Sequence, residues 1–137
     1  MPAAVLRKER RSPALDSRLV CRRADRMLEE LGLSDAELSV VLADDAFIRE
    51  LNRSYRRIAR PTDVLAFPMP TPRSKTLVRE RLLGDVIISL DTAARQAEEG
   101  GRPLVSEVTH LLAHGLLHLL GYDHGEEMER REANLNE

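Results

Sequence analysis

The stretch His114-Gly115-Leu116-Leu117-His118-Leu119-Leu120-Gly121-Tyr122-Asp123-His124 decides how this chain reads. Residues four apart on an α-helix share a face one turn from each other, so a helix here brings His114 and His118 together. Gly121 supplies the residue on which helices stop, because glycine enters the left-handed conformation at little cost. His124 follows that turn and can fold back toward the first two. Three neutral imidazoles arriving from a helix and its exit loop make an open site for a transition metal, Zn²⁺ by ligand type. The fourth coordination position stays free for water or substrate, as in catalytic zinc sites.

The spacing is that of the elongated zinc-protease signature His-Glu-x-x-His-x-x-Gly-x-x-His, with one departure. Gly115 stands where the general-base glutamate would be. A glycine inside a helix costs roughly 1 kcal/mol relative to alanine, so something must approach the backbone there. An ordinary polar helix end accounts for one histidine, not for three at this spacing.

Outward from that stretch, Pro103 opens the histidine helix, which should run to about Leu120. It is apolar nearly all round from Leu111 onward, so it should be central and buried. Leu82 to Leu90 reads as the strongest strand, followed by a helix capped by Ser89 or Asp91 and ended by Gly100-Gly101. Val64 to Phe67, bracketed by Pro61 and Pro68, reads as a short strand at an edge or exposed on one side. A helix begins at Asp44 or Asp45 and should continue until Pro61 stops it. Phe47, Ile48, Leu51 and Tyr55 form its apolar face, and Arg49, Arg53, Arg56, Arg57 and Arg60 the other. Glu37 to Leu42 is a strand with a buried centre, and Asp16 or Ser17 caps a helix ending at Gly32. Ala3 to Leu6 is a first short strand, and Gly125 to Asn134 a last, polar helix. The sum is one α+β domain over residues 1–137, a small mixed sheet packed against helices.

A chain of 137 residues with net charge −2 is not a polycation, but its charge is unevenly placed. Arg49 to Arg81 holds nine Lys/Arg against three Asp/Glu, while Tyr122 to the end holds six acids against two bases. That asymmetry points to an anionic partner for the basic half. No apolar run reaches membrane-span length, and no apolar signal segment follows Arg7 to Arg11. The lone Cys21 excludes an internal disulfide framework, fits a reducing cytoplasm, and reads as a small buried residue.

Together, the histidine stretch, Asn52-x-x-Tyr55-Arg56, Pro61-Thr62-Asp63-Val64-Leu65-x-Phe67-Pro68 and Leu83-Gly84-Asp85-Val86-x-Ile88-Ser89 resemble the bacterial YbeY family over about residues 37 to 128. The resemblance implies a zincin-like fold and one Zn²⁺ on His114, His118 and His124. It further implies a functional arginine at Arg56 and a single-strand-specific, metal-dependent endoribonuclease activity. Its setting would be rRNA maturation, at the small-subunit rRNA 3′ end, and ribosome quality control, with the small ribosomal subunit as partner. The family's usual serine before Phe-Pro is Ala66 here, so a contact made by that hydroxyl is absent.

Zinc polarises a phosphoryl oxygen and acidifies water, which serves phosphodiester as well as peptide hydrolysis. The peptide route wants a base beside the metal, and Gly115 offers none. Phosphoryl transfer depends on positioning and on neutralising charge over the oxygens. The planar guanidinium of Arg56 suits that, gripping a phosphate through two hydrogen bonds. Arg49, Arg53, Arg57 and Arg60, three or four apart, form either an RNA track or a solvated helix face. His110 extends the histidine stripe and reads as packed or partly exposed. Asp123 orients the exit turn or an imidazole, Asp85 after Gly84 at the start of the strong strand serves a turn or cap or, equally, a functional role, and Met128 is core. Two other functions remain: a zinc-dependent peptidase, and a non-catalytic ribosome-assembly factor braced by zinc. Histidine-only ligation argues against bracing, since structural zinc sites in reducing compartments usually include cysteine.

Overall fold

A computed structural model describes residues 3–8, 15–57, 62–68 and 81–121. Its elements run β1 (Ala3–Lys8), α1 (Ser17–Glu30), β2 (Ala36–Ala43), α2 (Asp45–Arg56), β3 (Val64–Pro68), β4 (Arg81–Ser89), α3 (Leu90–Gly100) and α4 (Leu104–Leu119). The four strands form one sheet in the order β1-β2-β4-β3. β1 and β4 flank β2 in parallel, and β3 closes the edge antiparallel to β4. The fold is therefore α+β with a mixed sheet, and β3 takes the edge that its proline bracket predicted. The expected polar helix over Gly125 to Asn134, with Met128, lies outside the described residues.

Alternation along the strands builds two unequal layers. Leu38, Val40 and Leu42 of β2 and Val86 and Ile88 of β4 face α1, α3 and α4 in the larger core, where Met27, Leu28, Leu112 and Leu116 are buried. Ala43, Leu65 and Ile87 face the other way and meet Ile48 of α2, with Leu51 and Phe67 packed around them. Each fully buried aliphatic side chain contributes roughly 1.5–3 kcal/mol, so the α1/α3/α4 layer carries most of the stability. Cys21 is buried in that layer.

Local chemistry sets the helix ends. The Asp16 carboxylate caps α1 by accepting from the Arg18 N–H at 2.9 Å. At the other end the Gly32 N–H reaches the Glu29 carbonyl at 3.0 Å and the Leu33 N–H reaches Leu28 at 2.7 Å, closing the orphan carbonyls. One expectation fails at α2. That helix does not persist to Pro61; it ends at Arg56, where Arg57 turns left-handed with φ 57° and donates back to Arg53 and Asn52. Asp85 also departs from its expected turn: it sits inside β4, opposite Ser39 and Phe67. The irregularity comes just before it, where Glu37 and Leu38 pair with Leu82 and Gly84 and skip Leu83.

The first turns of α2 and α3 are tied together by Asp45. Its carboxylate accepts from Ser89 Oγ at 2.5 Å, Thr92 Oγ1 at 2.7 Å and Arg95 Nη2 at 2.9 Å. Its own backbone N–H donates to Asp91 Oδ2 at 3.0 Å. Burial pushes the Asp45 carboxyl up, but the hydrogen bonds from Ser89, Thr92 and Arg95 and the Arg95 charge outweigh it and hold it below its ordinary value. A carboxyl lowered in the folded state stabilises fully above its unfolded pKa of about 3.9, and that contribution is lost as pH falls through the folded value. Asp45→Asn should therefore lose about 1–2 kcal/mol near neutral pH, with the gap to wild type closing in acid. Denaturant unfolding at several pH values reads this; a gap independent of pH would contradict it.

Helix α4 lies against β3 and β4 through Gly115. A Cβ placed there would meet Val86 Cγ1 at 2.7 Å and Val64 Cγ2 at 3.1 Å, closer than packed carbons come. The sheet is thus what approaches the helix backbone. Gly115→Ala gains roughly 1 kcal/mol of helix propensity but overpacks two β-branched side chains held on strands, costing about 1–3 kcal/mol. Net destabilisation is expected, partly relieved when Val86→Ala is added. An unchanged denaturation midpoint in the single variant would refute the close contact.

Candidate functional site

The histidine helix buries Val108, Leu111, Leu112, Ala113, Gly115, Leu116 and Leu117, and leaves His110, His114 and His118 half-buried. These three lie four residues apart, so they form the stripe along which α4 meets the outside. His114 and His118 converge. Their Nε2 atoms are 3.0 Å apart, and the rings stand edge to face with centroids at 4.6 Å. Two nitrogens bound to one tetrahedral zinc, each about 2.0–2.1 Å from it, would be about 3.3 Å apart. The pair therefore has the donor type and spacing to hold a first-row metal ion with little movement. Among the described residues no group of three metal-binding side chains forms. His124, expected to complete the set, and Asp123 lie outside the described residues.

His114 and His118 open onto a cleft of about 930 Å³, lined also by Gly115 and by Tyr55, Thr62, Asp63, Val64, Leu65, Ala66 and Phe67. The edge strand β3 forms one wall, and the last turn of α2 contributes Tyr55, whose ring packs on Phe67 at 5.0 Å. Asp63 is held in place by Gln96 Nε2, which donates to its Oδ2 at 3.3 Å, while its carbonyl accepts the Ser89 N–H at 2.9 Å. Sequence reasoning missed Asp63 and Thr62 as cleft residues. Their only signal was a place inside the Pro61–Pro68 segment, and no local pattern shows that this edge strand lies beside the histidine helix.

The arginines divide. Arg56 is placed by its backbone as the last residue of α2, next to Tyr55. Arg49, Arg53 and Arg57 are exposed, and Arg53 is paired with Glu50 through two contacts at 2.7 and 2.9 Å. Arg57 leaves the helical stripe because it adopts the left-handed cap, so Arg49, Arg53 and Arg57 do not lie on one regular helix face. Arg60 lies outside the described residues. His110 is separate from the cleft: it lines a smaller hollow of about 210 Å³ with Arg23, Arg102, Ser106 and Thr109. There Arg102 pairs with the buried Glu107, and Arg23 donates to Thr109 Oγ1 at 2.9 Å. No described helix is long and apolar enough to cross a membrane.

Comparison with known proteins adds a name to this arrangement. A family profile described as Endoribonuclease YbeY matches residues 8–137. A Geobacter metallireducens protein named Endoribonuclease YbeY is 47% identical over 134 residues, spanning 96% of this chain and 88% of that protein. One of the same name from Persephonella marina is 42% identical over 135 residues, spanning 98% and 86%. The solution structure of a Thermotoga maritima protein superposes with a TM-score of 0.65 over 97% of this chain and 87% of that one. At 23% identity that likeness speaks to the fold alone.

Proposed function

Because the chain belongs to the YbeY family of endoribonucleases, we propose that it cleaves phosphodiester bonds of single-stranded RNA with the help of one Zn²⁺ ion. The observation that carries this reading is the His114–His118 pair, its Nε2 atoms 3.0 Å apart on the wall of an open cleft. His114 and His118 would hold the ion, and the sequence spacing supplies His124 as the third ligand. The ion, when bound, supplies Lewis acidity beside a phosphoryl oxygen.

Three neutral imidazoles leave a divalent charge uncompensated, so the site favours an anionic substrate. A peptide substrate lacks that charge, and Gly115 denies it the carboxylate that zinc peptidases use. Any side chain at position 115 would point into Val86. Arg56, closing α2 beside Tyr55, is assigned to grip the phosphate through its planar guanidinium. Asp63, the one carboxylate among the described lining residues, is assigned to take the proton from the attacking oxygen. The proposed substrate is ribosomal RNA, in small-subunit rRNA 3′ end maturation and ribosome quality control. The small ribosomal subunit would be the partner and the cytoplasm the setting.

Cleavage of a short single-stranded RNA, measured beside metal content, tests the assignment. His114→Ala and His118→Ala should lose bound zinc and at least about 100-fold in rate. Arg56→Ala should keep the metal and lose about 100- to 1,000-fold. Chelation should abolish cleavage and added zinc restore it, and RNA affinity should fall as salt rises. Full activity in His114→Ala would overturn the reading.

A further inference from the structure

Tyr55 is 69% exposed, well beyond Phe47 at 37%, the other large apolar side chain of α2 that reaches the surface. On the same helix Ile48 and Asn52 are buried, so Tyr55 continues that face past the edge of the core and out over the cleft. Phe67 of β3 lies against it, centroids 5.0 Å apart and planes inclined by 58°, which fixes the phenol ring without covering it. Arg57, two residues on, is the only described non-glycine residue with positive φ. That conformation is disfavoured for a residue with a Cβ, yet it ends α2 at this point and leaves Tyr55 at the rim. The same cleft is lined by His114 and His118.

We propose that Tyr55, steadied by Phe67, is the platform on which one unpaired base of the RNA stacks while a neighbouring phosphate lies at His114 and His118. This rests on the endoribonuclease reading above. Every base presents a π face, so such a platform accepts any base and needs no hydrogen-bond code. A base within a duplex is already paired and stacked on both sides, and splaying it onto a ring costs about a few kcal/mol that an unpaired base does not. Tyr55 is thus a positioning residue, and it gives the preference for single strands a physical cause.

The experiment uses a short unstructured RNA carrying 2-aminopurine at successive positions, whose fluorescence is quenched by stacking, together with steady-state cleavage of the same RNA. Wild type is expected to quench most strongly at one position. Tyr55→Phe should retain that quenching and KM within about twofold, because the stacking face is kept. Tyr55→Ala should lose the quenching and raise KM about 5- to 100-fold, with kcat changed far less. Thermal unfolding of each variant reports folding, and rescue by Phe but not by Leu separates stacking from space filling. Equal rescue by Leu, or unchanged quenching and KM in Tyr55→Ala while wild type cleaves, overturns the platform and leaves the endoribonuclease reading standing. Wild-type protein that neither binds nor cleaves RNA overturns both.

Discussion

The approach of α4 to the sheet at Gly115 is the constraint on which the rest depends. The room left by a missing side chain is filled by Val86 and Val64, so the helix lies closer to β3 and β4 than any other residue type would permit. That closeness brings the edge strand alongside His114 and His118 and makes β3 a wall of their cleft. It also settles the local chemistry. The position that would carry a carboxylate beside the histidines is spent on packing, and among the described lining residues the acidic group is Asp63, ahead of the edge strand. One steric contact thus shapes the cleft and leaves position 115 with no side chain to offer.

Around that contact, the buried side chains of Glu107, Ser89 and Thr109 have polar partners, whereas Gln96 Oε1 is buried without a hydrogen bond among the described residues. Glu107 is buried at the start of α4 and paired with Arg102. Ser89 is fully buried, yet its hydroxyl both caps α3 and donates to Asp45. Such pairing offsets the desolvation that an isolated buried polar group would suffer. The histidines of α4 are the exception in kind: all three sit half-buried, and His114 and His118, in a stretch that is otherwise apolar, turn their nitrogens toward each other. A helix selected for core packing alone would fill that stripe with leucine or alanine.

Much of this was legible in the sequence, for identifiable reasons. Helix starts carried side-chain caps at Asp16, Asp44 and Ser89, and all three perform that role. The apolar wrap of α4 gave its burial, and the Pro61–Pro68 bracket gave β3 its edge. Gly115 announced a close approach without saying to what, because the answer lies on strands about 30 and 50 residues earlier in the chain. The early end of α2 was invisible for another reason. Arginine is a good helix former and carries no signature for the left-handed conformation, so Arg57 gave no warning. With the helix shortened, the arginine stripe read from spacing loses its regularity, and Arg56 becomes a terminal residue rather than one in a row.

The two ends of α2 are secured very differently. At Asp45, four hydrogen bonds reach α3 and the end of β4. At Tyr55, one tilted ring packs against Phe67. The layer beneath is also the smaller of the two hydrophobic clusters. A helix fastened in this way is expected to loosen first at its C-terminal turn, with the N-terminal turn held by Asp45. Amide hydrogens near Tyr55 should then exchange with solvent before those near Ile48.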